Sequence, residues 1–171
     1  MVSNARILFQ TLISTAQKTI DIASPYFLPD AGLRDELVKA AKNRGVHVRI
    51  LTVGPTTDHK VVRASSRSSY GELLKAGAHV YEYQPGMIHE KLLVIDGAWV
   101  VVGSTNMDTR SFGLNDEINV AALDRNLAAN VTAQYEKDLG DARPITLREW
   151  QRRGIFERAE ALLGWLWVRQ Q

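Results

Sequence analysis

The spacing of apolar residues along this chain changes period several times, and each change marks the boundary of a structural element. Apolar positions three or four apart, each run opened by a capping Ser, Asn or Asp, predict helices at residues 4–16, 31–44 and 59–76. Alternation of apolar and polar positions predicts strands at residues 19–24, 46–53 and 78–83. This succession of strand and helix is typical of right-handed crossovers in a parallel sheet.

The middle of the chain follows a different pattern. Two apolar runs, residues 92–95 and 99–102, flank Asp96-Gly97, one of the strongest short-range signals for a β-hairpin. A strand at residues 117–123 and a helix capped by Asp124 follow. Because the hairpin adds antiparallel pairing, we predict an α/β fold: a three-layer α/β/α sandwich with a mixed, largely parallel sheet.

Polar residues collect at the open end of the predicted hairpin. His89 and Lys91 precede its first strand and are two positions apart, so a strand would point them to the same face. Ser104 and Asn106 follow its second strand and are suited to donate hydrogen bonds to one oxyanion. Glu117 begins the next strand, where a carboxylate bonded to one imidazole nitrogen would leave the other free to attack.

Each of these residues has an ordinary structural explanation when it is taken alone. A lone strand histidine is usually structural or exposed, a lysine is usually solvated, and Ser and Asn are common in turns. An edge-strand salt bridge would account for Glu117. The combination of all five at one strand end is what favours a nucleophilic site.

The spacing resembles the signature of the phospholipase D superfamily: His, any residue, Lys, four residues, Asp, six residues, Gly-Ser, and Asn two positions after the Ser. The matching residues are His89, Lys91, Asp96, Gly103, Ser104 and Asn106, without a gap. The segments at residues 22–29, 44–51, 74–83 and 106–112 also resemble the bacterial cardiolipin synthases. The likeness is to their C-terminal catalytic half, over roughly residues 3–140.

The resemblance implies a mechanism and a role for each residue. His89 would attack the phosphorus of a phosphodiester and form a phosphohistidine, while a second histidine protonates the leaving alcohol. Water or another alcohol would then accept the phosphoryl group. Lys91 and Asn106 would neutralise the developing charge, so the resemblance implies no metal ion and no cofactor. Glu117 occupies the position of the family's His-orienting carboxylate, and Asp96 is expected to be structural.

The family's active site uses two copies of the motif, and this chain carries one. His59-Lys60 has the wrong spacing for a second copy. We therefore expect the general acid to come from a second chain in a homodimer, or from an N-terminal half if the chain belongs to a longer protein. We favour the homodimer, because the chain begins with a capped helix and a two-fold axis would bring two copies of His89 together.

Three functions fit this pattern. A phospholipid substrate is favoured by the cardiolipin synthase resemblance and by the aromatic loop at Tyr26 and Phe27. A nucleic-acid phosphodiesterase is the alternative, with Lys60 and Arg63 of the third helix holding backbone phosphates. The third possibility is a non-catalytic half that binds lipid or phosphate. The formal net charge of +2 is low for a strong nuclease.

Composition adds the domain division and the compartment. The 171 residues, 45% of them hydrophobic, suit one domain with a sizeable core at residues 1–140. Residues 141–171 form a predicted amphipathic tail helix, rich in Trp and Arg, that would bind an anionic membrane surface or pack on the domain. The chain has no Cys, which excludes disulfides and thiolate chemistry, and no apolar run approaches ~18 residues. We expect a cytoplasmic protein, peripheral on the inner membrane.

Overall fold

The computed structural model of the protein describes residues 3–57 and 60–154, without the side chains of residues 60–62. The helices are α1 (Asn4–Thr15), α2 (Ala31–Asn43), α3 (Lys60–Lys75), α4 (Thr109–Gly113), α5 (Arg125–Gly140) and α6 (Leu147–Gln151). The strands are β1 (Thr19–Ala23), β2 (Phe27–Leu28), β3 (His47–Val53), β4 (His79–Tyr83), β5 (Leu92–Ile95), β6 (Trp99–Gly103), β7 (Met107–Asp108), β8 (Asn119–Leu123) and β9 (Ala142–Ile145).

Local signals in the sequence set the helix boundaries. The Ser3 side chain accepts a hydrogen bond from the Arg6 backbone N–H at 3.2 Å, and Asp30 accepts one from Leu33 at 3.0 Å. Gly45 and Gly77 follow α2 and α3 in the left-handed region, with φ of 68° and 94°. The predicted ends of the first two helices are therefore confirmed, whereas the expected cap at residue 58 lies outside the described residues.

The main sheet has seven strands in the order β8-β6-β5-β1-β3-β4-β9. The predicted α/β class and mixed sheet are confirmed. Within this sheet, the described pairs β1–β3 and β3–β4 are parallel and the other four are antiparallel. The short strands β2 and β7 form a separate parallel pair. The prediction of a largely parallel sheet was therefore wrong, because β5, β6, β8 and β9 all pair in the antiparallel sense.

Two apolar clusters cover the two faces of this sheet. Alternate residues of β5 divide between them: Leu93 and Ile95 face the helices α1, α2 and α3, while Leu92 and Val94 face α5. The three-layer arrangement of the prediction follows from this division. Among the described residues, no helix combines the length and hydropathy needed to cross a bilayer.

The strand order brings the predicted site residues together at one end of the strands. Ala23, at the end of β1, pairs with Leu92, at the start of β5. At the same end of the sheet, Gly103 ends β6 opposite Asn119, which begins β8. The loops that carry the His-Lys pair, the Ser-Asn pair and Glu117 therefore leave the sheet side by side.

The segment after α5 differs from the amphipathic helix expected there. Residues 142–145 form the edge strand β9, and the short helix α6 follows. Trp150 of α6 donates a hydrogen bond from its indole N–H to the Arg67 carbonyl at 2.6 Å and packs its ring against Gly71 of α3. The predicted tail helix remains a prediction for residues 155–171, which lie outside the described residues.

Candidate active site

The His-Lys pair is assembled by an irregular segment, not by the strand that the sequence predicts. Strand β5 begins only at Leu92, after both residues. The Lys91 ammonium nevertheless lies 3.2 Å and 3.3 Å from the two ring nitrogens of His89 and donates to the His89 carbonyl at 2.8 Å. The imidazole is exposed. An exposed nucleophile candidate and a cation therefore share one side of the loop.

Two carboxyl groups influence the Lys91 ammonium electrostatically. Burial lowers the pKa of Lys91 from its ordinary value, and the charges of Glu117 and Asp108 oppose that change. Glu90, between His89 and Lys91 in the chain, belongs to a different environment: burial and then the Asp138 carboxyl raise its pKa. The site thus holds one half-buried ammonium, the group suited to a phosphate oxygen, and the charges of two carboxyl groups act on it.

Asn106 is held by the short helix α4. Its side-chain N–H donates to the Ser111 hydroxyl at 3.4 Å, and its Oδ1 is buried without a partner among the described residues. Ser111 in turn donates its backbone N–H to Asp108 at 2.7 Å. Asp108 is buried, which raises its pKa. Sequence reasoning missed Asp108 and Ser111, although an Asp three positions before a Ser is a recognisable helix N-cap.

Ser104 joins two loops and is not a free oxyanion donor. Its hydroxyl accepts the Ile118 backbone N–H at 3.0 Å and donates to the Ile118 carbonyl at 3.4 Å. The Ser104 backbone N–H donates to the same carbonyl at 2.9 Å. The Ile118 carbonyl thus competes for the Ser104 hydroxyl, and donation from Ser104 to substrate alongside Asn106 stays a prediction.

Glu117 lies near the site without touching the imidazole. Its Oε1 accepts a hydrogen bond from the Asn115 side chain at 3.3 Å, and the side-chain partner of the His89 ring within the described residues is Lys91. The expected hydrogen bond between Glu117 and His89 is therefore absent from this conformation. Orientation of His89 by Glu117 stays a prediction.

Asp96 lies at the opposite end of the hairpin from His89. Its carboxylate accepts the backbone N–H groups of Gln17, Lys18 and Thr19 at 2.9, 2.7 and 2.9 Å. Its backbone has a φ of 53°, which Asp tolerates better than most residues. These contacts fix the turn to the α1–β1 connection, as expected for a structural residue.

Replacement of Asp96 by Asn is expected to lower the free energy of unfolding by about 1–2 kcal/mol at pH 7, because charged acceptors bind N–H groups more strongly. Burial raises the pKa of Asp96, but the three backbone N–H groups outweigh it and hold the pKa below its ordinary value. A lowered folded-state pKa gives stability that is present above the unfolded pKa and lost as the pH falls through the folded one. Urea unfolding at pH 7 and pH 2 should show the difference between wild type and Asp96→Asn shrinking in acid; a constant difference would contradict the assignment.

The aromatic loop after β1 divides into a core residue and a surface residue. Phe27 is fully buried and belongs to β2, which pairs with Met107 of β7. The expectation that Phe27 binds substrate was therefore wrong, because its ring fills the core. Tyr26 is half-buried, and its carbonyl accepts the Ser24 hydroxyl at 2.9 Å. Ser24 also accepts the Met107 backbone N–H at 3.0 Å, which ties this loop to the Asn106 loop.

The basic face predicted for α3 is compensated by a buried acid. Arg63 and Arg67 both bind Glu82, at 2.6 and 2.9 Å, and Glu82 is 1% exposed. Arg63 is therefore committed to a structural ion pair, which weakens its assignment as a substrate-binding residue. The side chain of Lys60 lies outside the described part of the chain.

Asn119 stabilises the loop between β6 and β7, and no sequence pattern indicated this role. Its side-chain N–H donates to the buried Thr105 hydroxyl at 2.6 Å. It also lies so close to Gly103 that a Cβ at that position would be 2.4 Å from the Asn119 Oδ1. Asn is common at the start of a strand, so its position in the sequence does not reveal that it stabilises a neighbouring loop.

Comparison with known proteins places this arrangement in a family. A family model described as cardiolipin synthase, PLD-like domain, matches residues 9–139. The chain is 40% identical over 153 residues to a probable cardiolipin synthase, YwiE, of Bacillus subtilis, which covers 90% of this chain and 30% of that protein. It is 38% identical over 143 residues to cardiolipin synthase A of Pseudomonas putida, covering 84% and 29%. The chain thus spans about 30% of the length of these curated relatives.

Solved structures share the fold. A phospholipase D family member, Nuc of Salmonella typhimurium, superposes with a TM-score of 0.73 at 22% identity, over 83% of this chain and 91% of that chain. The phosphatidylserine synthase of Haemophilus influenzae superposes with a TM-score of 0.72 at 16% identity, over 97% and 41%. One copy of this fold therefore accounts for nearly the whole of one neighbour and less than half of the other.

Proposed function

Because the chain belongs to the family of PLD-like domains of cardiolipin synthases, we propose that it contributes a phosphodiester-transferring site in which His89 is the nucleophile. The observation that carries this proposal is the contact of the Lys91 ammonium with the exposed His89 imidazole, at 3.2 and 3.3 Å. Such a pair places a cation where it would contact a phosphate oxygen while the imidazole attacks phosphorus.

The reaction proceeds in two displacements. A ring nitrogen of His89 attacks phosphorus, a nitrogen–phosphorus bond forms, and the bond to the leaving alcohol breaks as a second imidazole gives that alcohol a proton. Water or another alcohol then attacks phosphorus, returns a proton to the second imidazole and releases His89. Lys91 neutralises charge on the phosphoryl oxygens, and Asn106 assists with its side-chain N–H.

A phospholipid is the substrate that the observations favour. The relatives that match at 40% and 38% identity are cardiolipin synthases, and the match includes the motif loops. The nucleic-acid alternative depends on cations of α3, and Arg63 is already paired with Glu82 at 2.6 Å. Action on phospholipid also implies contact with a membrane surface, so a peripheral position on the inner membrane belongs to the same proposal.

The second imidazole is supplied by a second PLD-like half. A homodimer is supported by the superposition on Nuc, in which one copy of the fold covers 91% of that chain. An N-terminal half within a longer protein is the other source, because the chain spans about 30% of its curated relatives. Either source completes the same chemistry.

A side-by-side assay tests the substrate. Purified protein is given phosphatidylglycerol vesicles and single-stranded DNA in parallel, each with and without EDTA, and the products are separated. We expect lipid turnover that EDTA leaves unchanged, and no DNA cleavage. DNA cleavage without lipid turnover would select the nuclease function, and strict dependence on metal would refute the phosphohistidine mechanism. Vesicle binding without any turnover would select the non-catalytic half.

A further inference from the structure

Glu90 lies between His89 and Lys91 in the chain, but its side chain has a different neighbour. The Lys91 ammonium contacts the His89 ring, whereas the Glu90 carboxyl meets Asp138 of α5. Glu90 is half-buried, and its Oε1 is covered from solvent without a hydrogen-bond partner among the described residues. Covering an oxygen in this way is costly when the carboxyl is charged and much less so when it is neutral. The proposed chemistry assigns no role to this group.

The segment that carries the His-Lys pair packs on the C-terminal end of α5. The backbone N–H of Gln84 donates to the carbonyl of Asp141, the residue that caps α5, at 3.3 Å. Ile88 is buried in an apolar cluster against which Leu139 of α5 also packs. Strand β5 begins only at Leu92, so these contacts take the place of sheet pairing in the loop before it. The position of the nucleophile loop therefore depends on the end of α5.

A hydrogen bond between two carboxyl groups joins the loop to the same helix end. The Glu90 and Asp138 side chains, which we call the carboxyl pair, are hydrogen-bonded to each other, and such a bond requires a proton on one of them. Asp138 is held in turn by Gln134, whose side-chain nitrogen lies 3.2 and 3.4 Å from its two carboxyl oxygens. Two charged carboxylates at this separation would repel each other. The pair is therefore bonded while it shares one proton and is driven apart when it has none.

The ionisable groups on the surrounding elements leave this balance to the carboxyl pair. They are Tyr135, Glu136, Lys137 and Asp141 at the end of α5 and its cap, Tyr81 and Tyr83 of β4, and Lys91 of the loop itself. Glu136 binds Arg49, and the Lys91 ammonium donates to the His89 carbonyl. Burial raises the pKa of Glu90, and the charge that raises it further is that of Asp138.

We propose that Glu90 is a positioning residue, which shares one proton with Asp138 and thereby fixes the His-Lys loop to the end of α5. This inference rests on the proposed function and adds to it a residue that touches neither substrate nor the reacting atoms. Because His89 is the adjacent residue, movement of Glu90 displaces the nucleophile relative to Asn106. Ionisation of the carboxyl pair consequently lowers turnover by loosening the loop, without changing the chemistry of the imidazole.

The test replaces the shared proton by a permanent donor. In Glu90→Gln the side-chain amide donates to Asp138 at every pH, whereas Glu90→Ala removes the contact. Turnover of phosphatidylglycerol vesicles is measured for wild type and both variants between about pH 5 and pH 9. The ratio of Glu90→Gln to wild type should rise with pH, because the titration of His89 is common to both and cancels. Glu90→Ala should be about 10-fold slower than Glu90→Gln, since small displacements of reacting groups are costly.

Asp141→Asn is the matched control for the loss of one carboxylate at this end of α5. The Asp141 side chain is exposed, and the loop is bound through its backbone carbonyl, which the substitution retains. Its turnover should follow that of wild type at every pH. A Glu90→Gln variant as slow as Glu90→Ala, or a ratio to wild type that does not change with pH, would overturn the positioning role.

Urea unfolding over the same pH range tests the carboxyl pair without any turnover. The pKa of Glu90 is higher in the folded protein than in the unfolded chain, so wild-type stability falls as the pH rises from the unfolded pKa through the folded one. Glu90→Gln lacks this titration, and its urea midpoint should gain on that of wild type as the pH rises, while Asp141→Asn stays parallel to wild type. A constant difference would overturn the shared proton. The expected widening in a protein without turnover would refute the proposed function alone.

Discussion

Replacement of His89 by alanine is expected to reduce phosphodiester turnover by at least about 10³-fold and to remove the covalent intermediate. The imidazole is exposed, so its loss leaves the core intact and the melting temperature nearly unchanged. The measurement uses a substrate labelled in the phosphoryl group, with the reaction stopped in alkali because nitrogen–phosphorus bonds hydrolyse in acid. Label should remain on the wild-type protein and be absent from the variant.

His79→Ala is the matched control for this experiment. His79 is also an exposed imidazole, but it begins β4 and meets the His47 ring edge to face at the other end of the strands. Its removal should leave both the turnover and the labelled protein unchanged. Label retained on His89→Ala would show that another residue is the nucleophile, and that result would end the assignment.

Replacement of Gly103 by alanine is expected to disrupt both the fold around the site and its activity. A Cβ at this position would lie 2.2 Å from the Ile118 carbonyl oxygen and 2.8 Å from the Asn119 Cα, so the backbone has to move. Overpacking of this kind typically costs about 1–3 kcal/mol of unfolding free energy. The same shift displaces Ser104 and the loop to Asn106, and a displacement of about 1 Å can lower turnover about 10²-fold.

Gly113→Ala provides the comparison for this second change. Gly113 ends α4 near the same loop, and a Cβ there would meet nothing within 4 Å. It should change neither the urea midpoint nor the turnover, whereas Gly103→Ala should lower both. If the two variants behave alike, close packing of Gly103 against β8 does not control the site.

The sequence was sufficient for elements that depend on local interactions. The ends of α1 and α2 follow from Ser3 and Asp30, whose side chains bond to N–H groups three residues away. The turn of the hairpin follows from Asp96-Gly97, which both adopt positive φ. These signals lie within a few residues of the structures that they produce.

Features that depend on distant pairing were not available from the pattern. The sequence of β9 was assigned to the predicted tail segment, and only its pairing with β4 places it in the sheet. Phe27 reads as a loop aromatic, but pairing of its strand with Met107 draws the ring into the core. A short apolar or polar segment therefore takes its structure from the partner it meets, not from its own periodicity.

The site shows the same division between spacing and partner choice. The spacing of His89 and Lys91 was enough to predict their proximity, since two residues limit how far the groups can separate. Ser104, Glu117 and Arg63 bind Ile118, Asn115 and Glu82 respectively. Each of these partners competes with substrate or with His89 for the side chain it binds. The sequence alone does not show which interaction a side chain makes.

The position of β9 has a practical consequence for labelling. β9 and β8 are the two opposite edges of the sheet, and α6 carries the chain from β9 over α3 to Gly154. Gly154 therefore lies away from β8 and from the Ser104 loop that β8 contacts. A fluorophore attached through Gly154→Cys should therefore leave turnover unchanged, whereas one attached through Ile118→Cys, beside Ser104, should lower it.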